Sequence, residues 1–263
     1  MRDVFISSYV SRLTSYEPQA SMRIPRIYTP QSLTEATLVD LDDSAANHVG
    51  KVLRMQAGRE LILFNGQDSC HFNAVIEHSD KKRVTVQINN KVASSNESPL
   101  AIHVGQALSK GDKMELVIQK SVELGVTEIT PLWTEHCDVK LNAERMEKKL
   151  KQWQGIIISA CEQCGRDVLP VLNPVVKFQD WIGSVNADEK WVLDPRGHAN
   201  QNTPATVTSA VIAIGPEGGL SQDEIEQACD NGFKSKLIGP RVLRTETAAL
   251  TAVTLLQSQW GDF

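Results

Sequence analysis

The sequence predicts an α/β protein in two parts, a small β barrel followed by a domain built on a parallel sheet. Short β-rich segments fill residues 22–92, whereas strand-like and helix-like segments alternate from residue 100 onward. Such alternation is typical of a parallel sheet covered by helices on both faces. A polar, turn-rich stretch at 93–99 separates the two patterns, and we interpret it as a linker.

The composition of the 263 residues is typical of a globular protein, with 41% hydrophobic and 22% charged residues. Apolar runs such as 211–214 are too short to span a membrane. Five cysteines without an export signal predict a reducing compartment, the cytoplasm. Because residues 22–28 are the first strand-like segment, we interpret residues 1–21 as an extension or a wrongly assigned start.

Cys161 and Cys164 form a C-x-x-C pair, a spacing that occurs in metal and redox sites. A second pair is missing from the sequence, and both thiols follow the apolar stripe of a predicted helix. We therefore interpret them as buried thiols and predict no metal site.

The barrel is predicted from short segments with partly alternating polarity. A strand at 59–64 leads into Asn65-Gly66, a strong hairpin signal, and further strands follow at 71–76 and 83–88. One helix is predicted within this part, at 44–53.

The second part is predicted as strands and helices in alternation. We expect a helix at 112–124 that ends at Gly125, and a helix that begins after Asn142 and ends at Gly165. We expect strands at 101–108, 127–133, 168–172, 191–194, 211–214 and 236–238.

Two of these strands run directly into glycine-rich turns. The first turn is Gly215-Pro-Glu-Gly-Gly219, followed by a capping box at Ser221 that opens a helix. The second turn begins at Gly239. Glycine lets the backbone approach a ligand closely, and carboxyl ends of neighbouring parallel strands form the usual ligand crevice. A plain tight turn is the alternative for the first turn taken alone.

The segment after the second turn combines an apolar helix at 248–256 with charged residues before it. A helix this apolar needs cover, and at the end of a chain we expect a second subunit to supply it. Lys234, Lys236, Arg241 and Arg244 form a basic cluster. Because the net charge is −5, contact with nucleic acid requires such a local patch.

The two glycine motifs together resemble those of the RsmE-type 16S rRNA (uracil-N3)-methyltransferases of the SPOUT class. The second reads Ile238-Gly-Pro-Arg-Val-Leu-Arg-Thr-Glu-Thr-Ala-Ala249. Supporting segments lie in the family's order at 22–28, 48–54, 120–126, 162–166 and 194–196, so that the resemblance covers nearly the whole chain from Met22.

The resemblance implies a PUA-like β barrel at 22–92 and a SPOUT domain at 100–263, whose C-terminal chain is threaded as a trefoil knot. It implies a homodimer with each active site at the subunit interface, and 16S rRNA of the small ribosomal subunit as the substrate. It also implies bound S-adenosylmethionine, with the cofactor-binding residues Leu193, Gly215, Pro216, Glu217, Gly218, Gly219, Ile238, Gly239, Pro240, Leu243, Thr245 and Thr247.

Catalytic roles are expected at four charged residues. Arg166 and Arg244 would hold uracil oxygens or a phosphate, and Glu246 or Glu162 would accept the N3 proton. For either glutamate, an ion pair with an arginine is an equally good interpretation. We expect RNA phosphates to contact the basic residues Arg23, Arg26, Lys51, Arg54, Lys120 and Arg241.

One position departs from the family pattern, because His136 stands where arginine is usual. This departure affects the expected RNA contact of its loop and not the cofactor site. Two other functions remain open from the residues alone. One is a ribosome-assembly factor that binds RNA without catalysis, and the other is a methyltransferase of the same class that acts on tRNA or on another base.

Overall fold

The computed structural model describes residues 24–80, 83–138, 142–198 and 204–263. The predicted extension at 1–21 and the predicted RNA contact of Arg23 lie outside these ranges. Within them, two separate β-sheets organise the chain, as the sequence predicts.

The first sheet has five strands in the order β1-β3-β4-β5-β2. Strand β1 pairs with β3 in parallel, and the other neighbours are antiparallel. Alternate residues of β4 are buried, so that one face of the sheet covers a core of its own. The strands are β1 Arg26–Tyr28, β2 Leu38–Asp40, β3 Glu60–Phe64, β4 Cys70–Ser79 and β5 Val84–Ala93.

A helix and a turn predicted for this part of the chain are present, but each differs in its length or type. The helix expected at 44–53 is a short α-helix, α1 (Asp43–Asn47), that continues as one π-helical turn, His48–Val52. The Asn65-Gly66 turn does join antiparallel strands, but the connection is five residues long. Its shape is set by Asn65, whose side-chain oxygen accepts hydrogen bonds from the backbone amides of Gln67 and Asp68, at 3.0 and 3.2 Å.

The second sheet has seven strands, and every pair in it is parallel. Its order is β12-β10-β11-β6-β7-β8, and β9 also pairs with β7. The central strand β11 is buried at five of its six positions, as expected for a sheet covered on both faces. The strands are β6 Ala101–Ala107, β7 Glu128–Trp133, β8 Val171–Leu172, β9 Val176–Lys177, β10 Glu189–His198, β11 Ser209–Ile214 and β12 Lys234–Lys236.

Five helices accompany this sheet, and the sequence predicts the ends of three of them. The Asn142 side chain caps α3 by accepting from the Arg145 amide at 2.9 Å, and Gly165 ends it with φ +89°. The capping box of α5 is present at Ser221 and Glu224. The helices are α2 Lys113–Glu123, α3 Ala143–Cys164, α4 Phe178–Ser184, α5 Gln222–Asp230 and α6 Thr245–Trp260.

Helix α6 lies against the middle of the sheet, although the strand before it, β12, is at the edge. It packs on α2, β6 and β11, and Ala249, Val253 and Leu256 are fully buried in the main core. Its other face includes Leu255, which is 43% exposed. Between β12 and α6 the chain therefore crosses from the edge of the sheet to its centre. This course is consistent with the threaded chain that the family resemblance implies.

The two sheets are joined by charged contacts. Arg26 of β1 forms an ion pair with Asp167, which is fully buried and also accepts from His71 at 2.8 Å. The Tyr28 backbone amide donates to Glu162 at 3.0 Å. The expectation that Arg26 grips RNA is therefore wrong, because its guanidinium is buried in this junction.

Arg166, next to Asp167 in the chain, also differs from its expected role. Its side chain is only 5% exposed. The guanidinium donates to Glu97 at 2.6 Å and to the backbone carbonyls of Val122 and Val126 at 3.0 and 2.8 Å. These bonds occupy it with structural partners, so Arg166 is not available to hold uracil or phosphate.

Candidate active site

A cavity of about 970 Å³ opens at the carboxyl ends of β10, β11 and β12. This is the crevice position expected for a ligand in an open parallel sheet. Its walls come from the first glycine turn, the segment around the second turn, and the end of β10. The predicted cofactor-binding residues that line it are Leu193, Gly215, Pro216, Glu217, Gly218, Gly219, Ile238, Leu243 and Thr245.

The first glycine turn is tight enough to exclude side chains at two positions. A Cβ on Gly215 would lie 2.8 Å from the backbone nitrogen of Leu220, closer than packed atoms allow. Gly219 adopts φ +73°, in the left-handed region that favours glycine. The turn therefore keeps its tight shape only with glycine at these positions, and its residues line the cavity.

Thr245 joins the first turn to the start of α6. Its hydroxyl donates to the Gly215 carbonyl at 2.6 Å and accepts from the Gln106 side chain at 2.9 Å. Thr245 is 6% exposed and Gln106 is fully buried. The sequence analysis missed Gln106, because it lies in an apolar strand and its partner is 139 residues away.

Two carboxylates at the cavity are held by neighbours on the same chain. Burial raises the pKa of Glu217, but hydrogen bonds from the Lys113 ammonium and the Lys110 amide bring its pKa below the ordinary value. Asp194 accepts from the Arg196 amide at 2.9 Å and from the Ser235 hydroxyl at 3.1 Å. These bonds fix both carboxylates at the cavity wall.

His136 lies on the first glycine turn. One ring nitrogen is 3.1 Å from the Gly219 carbonyl, and a Cβ on Gly218 would lie 3.0 Å from the Cβ of His136. The position that departs from the family pattern thus lies at the cavity, and the expectation that the departure does not affect the cofactor site stays a prediction.

Part of the predicted basic cluster faces the cavity. Arg241 and Arg244 are exposed and line it, and neither has an ion-pair partner in the part of the chain that the structure describes. Lys236 also lines it, with its ammonium 4.8 Å from the Trp191 ring centroid. Lys234 is instead paired with the buried carboxylate of Glu189 at 2.7 Å.

Other predicted site residues lie outside the cavity lining. Gly239, Pro240 and Thr247 flank it without lining it. Glu246 does not line it either, but its Oε2 is buried and has no hydrogen-bond partner among the described residues. Glu162 lies in the junction between the sheets, where burial raises its pKa.

The remaining predicted RNA contacts, two on the barrel and one on α2, differ in their surroundings. Lys51 and Arg54 are exposed at the π-helical turn. Lys120, on α2 of the second unit, forms an ion pair with Glu123 at 2.8 Å.

Several lining residues were not predicted as site residues. Asp194 and Arg196 carried a signal in the sequence as part of a segment that resembles the family's, and Lys236 carried one as part of the basic cluster. The polar residues in this group include Lys113, Asp194, Arg196, Gln222 and Lys236.

Cys161 is buried, and burial raises the pKa of its thiol to about 12. Burial also raises the pKa of Cys164. Across the described ranges, no three metal-binding side chains come together at one place. In the same ranges, every helix is too short or too polar to cross a membrane.

The chain matches two family models that lie side by side. An RNA methyltransferase domain matches residues 96–257, and an RNA methyltransferase PUA domain matches residues 41–89. Ribosomal RNA small subunit methyltransferase E of Buchnera aphidicola from Schizaphis graminum is 38% identical over 242 residues, 91% of this chain and 98% of the relative. The Bacillus subtilis protein of the same name is 29% identical, over 88% of this chain and 94% of the relative.

Two solved structures share the fold over their whole length. A Legionella pneumophila protein with bound cofactor SAM has a TM-score of 0.88 and 46% identity, over 92% of this chain and all of that one. Ribosomal RNA small subunit methyltransferase E from Neisseria gonorrhoeae, bound to S-adenosylmethionine, has a TM-score of 0.85 and 37% identity over the same shares. The chain therefore belongs to the RNA methyltransferase family, in the group of the ribosomal RNA small subunit methyltransferases E.

Proposed function

We propose that this protein transfers a methyl group from S-adenosylmethionine to N3 of a uridine in 16S rRNA of the small ribosomal subunit. The observation that carries the proposal is the cavity between the first glycine turn and the segment around the second, two segments that Thr245 connects. It lies in a chain whose family transfers methyl groups to RNA.

The cavity fits the proposed cofactor in size and in backbone exposure. Its volume, about 970 Å³, is at the upper end of the range for small-molecule sites. At Gly215 and Gly218 a Cβ would meet Leu220 and His136, so the tight turn that lines the cavity requires glycine at these positions. When bound, S-adenosylmethionine supplies a methyl group already activated by the sulfonium charge.

The chain's own residues then have to align the base and stabilise charge. N3 lies on the pairing edge of uracil, so the base must be unpaired or turned out to be reached. Arg244 is exposed at the cavity and has no ion-pair partner among the described residues, so its guanidinium is suited to hold uracil oxygens, on which negative charge develops when N3 loses its proton. Glu246, with a buried oxygen that lacks a partner, is the candidate proton acceptor.

RNA binding is assigned to cations near the cavity and on the barrel. Arg241 is exposed at the cavity, and Lys51 and Arg54 are exposed on the barrel. Such residues position RNA through its phosphates without reading its sequence, and their contribution weakens as salt increases.

The functional unit we propose is a homodimer in the cytoplasm. The face of α6 that is not packed on its own chain includes the 43% exposed Leu255, and a second copy would cover it. Sedimentation of the purified protein tests this part, and a monomer at micromolar concentration contradicts it.

The central experiment incubates the protein with labelled S-adenosylmethionine and purified small ribosomal subunits, and then maps the modified nucleotide. We expect one labelled uridine with the methyl group on N3. Transfer to tRNA or to another base would overturn the substrate. Tight RNA binding without transfer would instead favour an assembly factor.

A further inference from the structure

A second cavity of about 690 Å³ lies at the amino ends of the parallel strands. It is lined by Ala101 and Ser209, the first residues of β6 and β11, whereas the methyltransferase cavity is lined by Ile214 at the other end of β11. Six residues of extended strand place the two openings about 17 Å apart. The second cavity is therefore not part of the proposed active site.

A hydrogen-bonded group of polar side chains forms one wall of this second cavity. His103 is 2.7 Å from the Thr130 hydroxyl, and Asn173 donates to that same hydroxyl at 2.8 Å and to Glu128 at 2.6 Å. The His103 ring also lies 3.7 Å from Glu128. Because burial lowers the pKa of His103, this ring is neutral at pH 7. The hydrogen bonds hold these four side chains in place. Because His103 is neutral, Glu128 is the only charged member of the group.

The side chains that line this cavity carry a net negative charge. Among the described residues, its lining contains the carboxylates Glu128 and Asp180 and no lysine or arginine. The Asp180 side chain is exposed and forms no ion pair or hydrogen bond with the described residues. An opening of this kind attracts cations and repels the phosphates of RNA.

Trp181 provides an independent observation at the same place. It lines the cavity and is 4% exposed, and its ring packs edge to face with His103 at 5.3 Å. Its indole nitrogen is buried without a hydrogen-bond partner among the described residues. A buried donor without a partner costs free energy, which a bound acceptor would recover once a shift of the ring exposes the nitrogen.

From these observations we propose that the cavity binds an arginine side chain of a partner polypeptide. The guanidinium would lie between Glu128 and Asp180, and a backbone carbonyl of the same segment would accept from the Trp181 indole. An arginine in a peptide combines a planar cation with adjacent acceptors, and a guanidinium also pairs with aromatic rings. The proposal does not depend on the methyltransferase function.

The test titrates the full-length protein with a blocked Gly-Arg-Gly tripeptide and follows the indole N–H signals of its five tryptophans by NMR. Trp181→Phe assigns the signal. We expect the Trp181 signal to move, and the matched Gly-citrulline-Gly peptide, which has the same shape without the charge, to leave it in place. Equal shifts with both peptides would overturn the proposal. A shift with spermidine but not with the arginine peptide would also overturn it, in favour of a small amine.

Charge-removing variants make the test specific to the cavity. Asp180→Asn is on the surface and should fold normally, and together with Glu128→Gln it should weaken peptide binding about tenfold or more. Glu226→Gln on α5 removes a carboxylate outside the cavity and should change nothing. S-adenosylmethionine affinity, measured on the same samples, should be equal in all variants. Unchanged peptide affinity in both cavity variants would contradict the assignment.

Discussion

The Thr245 hydroxyl donates a hydrogen bond of 2.6 Å to the Gly215 carbonyl, and so connects the first glycine turn to the first residue of α6. Because Gln106 donates to the same hydroxyl, the bond is held from the core side as well. The shape of the cavity therefore depends on a contact between segments 30 residues apart.

Thr245→Val removes this connection while it preserves the size of the side chain. A net hydrogen bond contributes about 1 kcal/mol, and the loss leaves the Gln106 amide with one partner fewer. We expect S-adenosylmethionine affinity to fall about tenfold by calorimetry. Thr245→Ser, which keeps the hydroxyl, should bind like the parent, and Thr34→Val, at an exposed position of the barrel, is the control. Equal affinity in the Val and Ser variants would contradict the role.

Gly215→Ala tests the tightness of the first turn. The added Cβ would meet backbone atoms of Leu220 and Gly219 at 2.8 and 3.0 Å, so the turn itself has to move. We expect the cofactor affinity to fall by more than tenfold. Gly155→Ala on α3 has no atom within 4 Å of its Cβ and should raise helix stability by up to about 1 kcal/mol without changing the affinity. Normal binding by the Gly215 variant would show that the turn does not cradle the ligand.

Glu246→Gln separates proton transfer from cofactor binding. General base catalysis contributes roughly 100-fold or more to rate, and the amide cannot accept the proton. We expect methyl transfer to small subunits to fall by that factor, with S-adenosylmethionine affinity unchanged. Asp223→Asn on α5 provides a matched loss of charge away from the cavity lining. Full activity of the Glu246 variant would exclude it as the base.

Arg166→Met tests the structural role that replaces the expected catalytic one. It removes the donor to Glu97 and to the Val126 carbonyl and one of the two donors to the Val122 carbonyl, and breaking a buried ion pair costs about 3 kcal/mol or more. We expect the free energy of unfolding in urea to fall by that amount, and the folded variant to bind the cofactor normally. Lys148→Met, which breaks an exposed ion pair with Glu144, should cost less than about 1 kcal/mol. A stable but inactive Arg166 variant would restore the catalytic interpretation.

The raised pKa of Cys161 predicts its reactivity. With a pKa of about 12, the buried group is a thiol and not a thiolate at pH 8, and thiols react poorly with alkylating reagents. Peptide mapping after iodoacetamide treatment of the folded protein should show Cys229, which is exposed, modified well before Cys161. Similar rates for the two cysteines would contradict the buried-thiol interpretation.

Local signals in the sequence predicted the local structure well. The cap of α3 at Asn142, its end at Gly165 and the capping box of α5 each depend on residues a few positions apart, and all three are present. The five-residue stripe buried on α2 follows from the helical period in the same way. Helix α4 was missed, since its seven residues give too short a stretch for a periodic pattern.

Long-range partners could not be predicted from the sequence in this way. Arg166 appears as a free cation in the sequence, but its carboxylate partner is 69 residues away. Arg26 finds its partner 141 residues away, on the other unit. The glycine turns carried their own signal, whereas Gln106 did not, because its role arises only when α6 is brought to the centre of the sheet.

The charged junction between the two sheets has a geometric consequence for target choice. Arg26 with Asp167, and Tyr28 with Glu162, fasten the barrel to the end of α3 and the residues just after it. An RNA bound on the barrel surface would therefore lie at a fixed distance from the cavity that holds the methyl donor. The target nucleotide would then be selected by its distance along the RNA from the phosphates bound to the barrel, with few contacts to base edges.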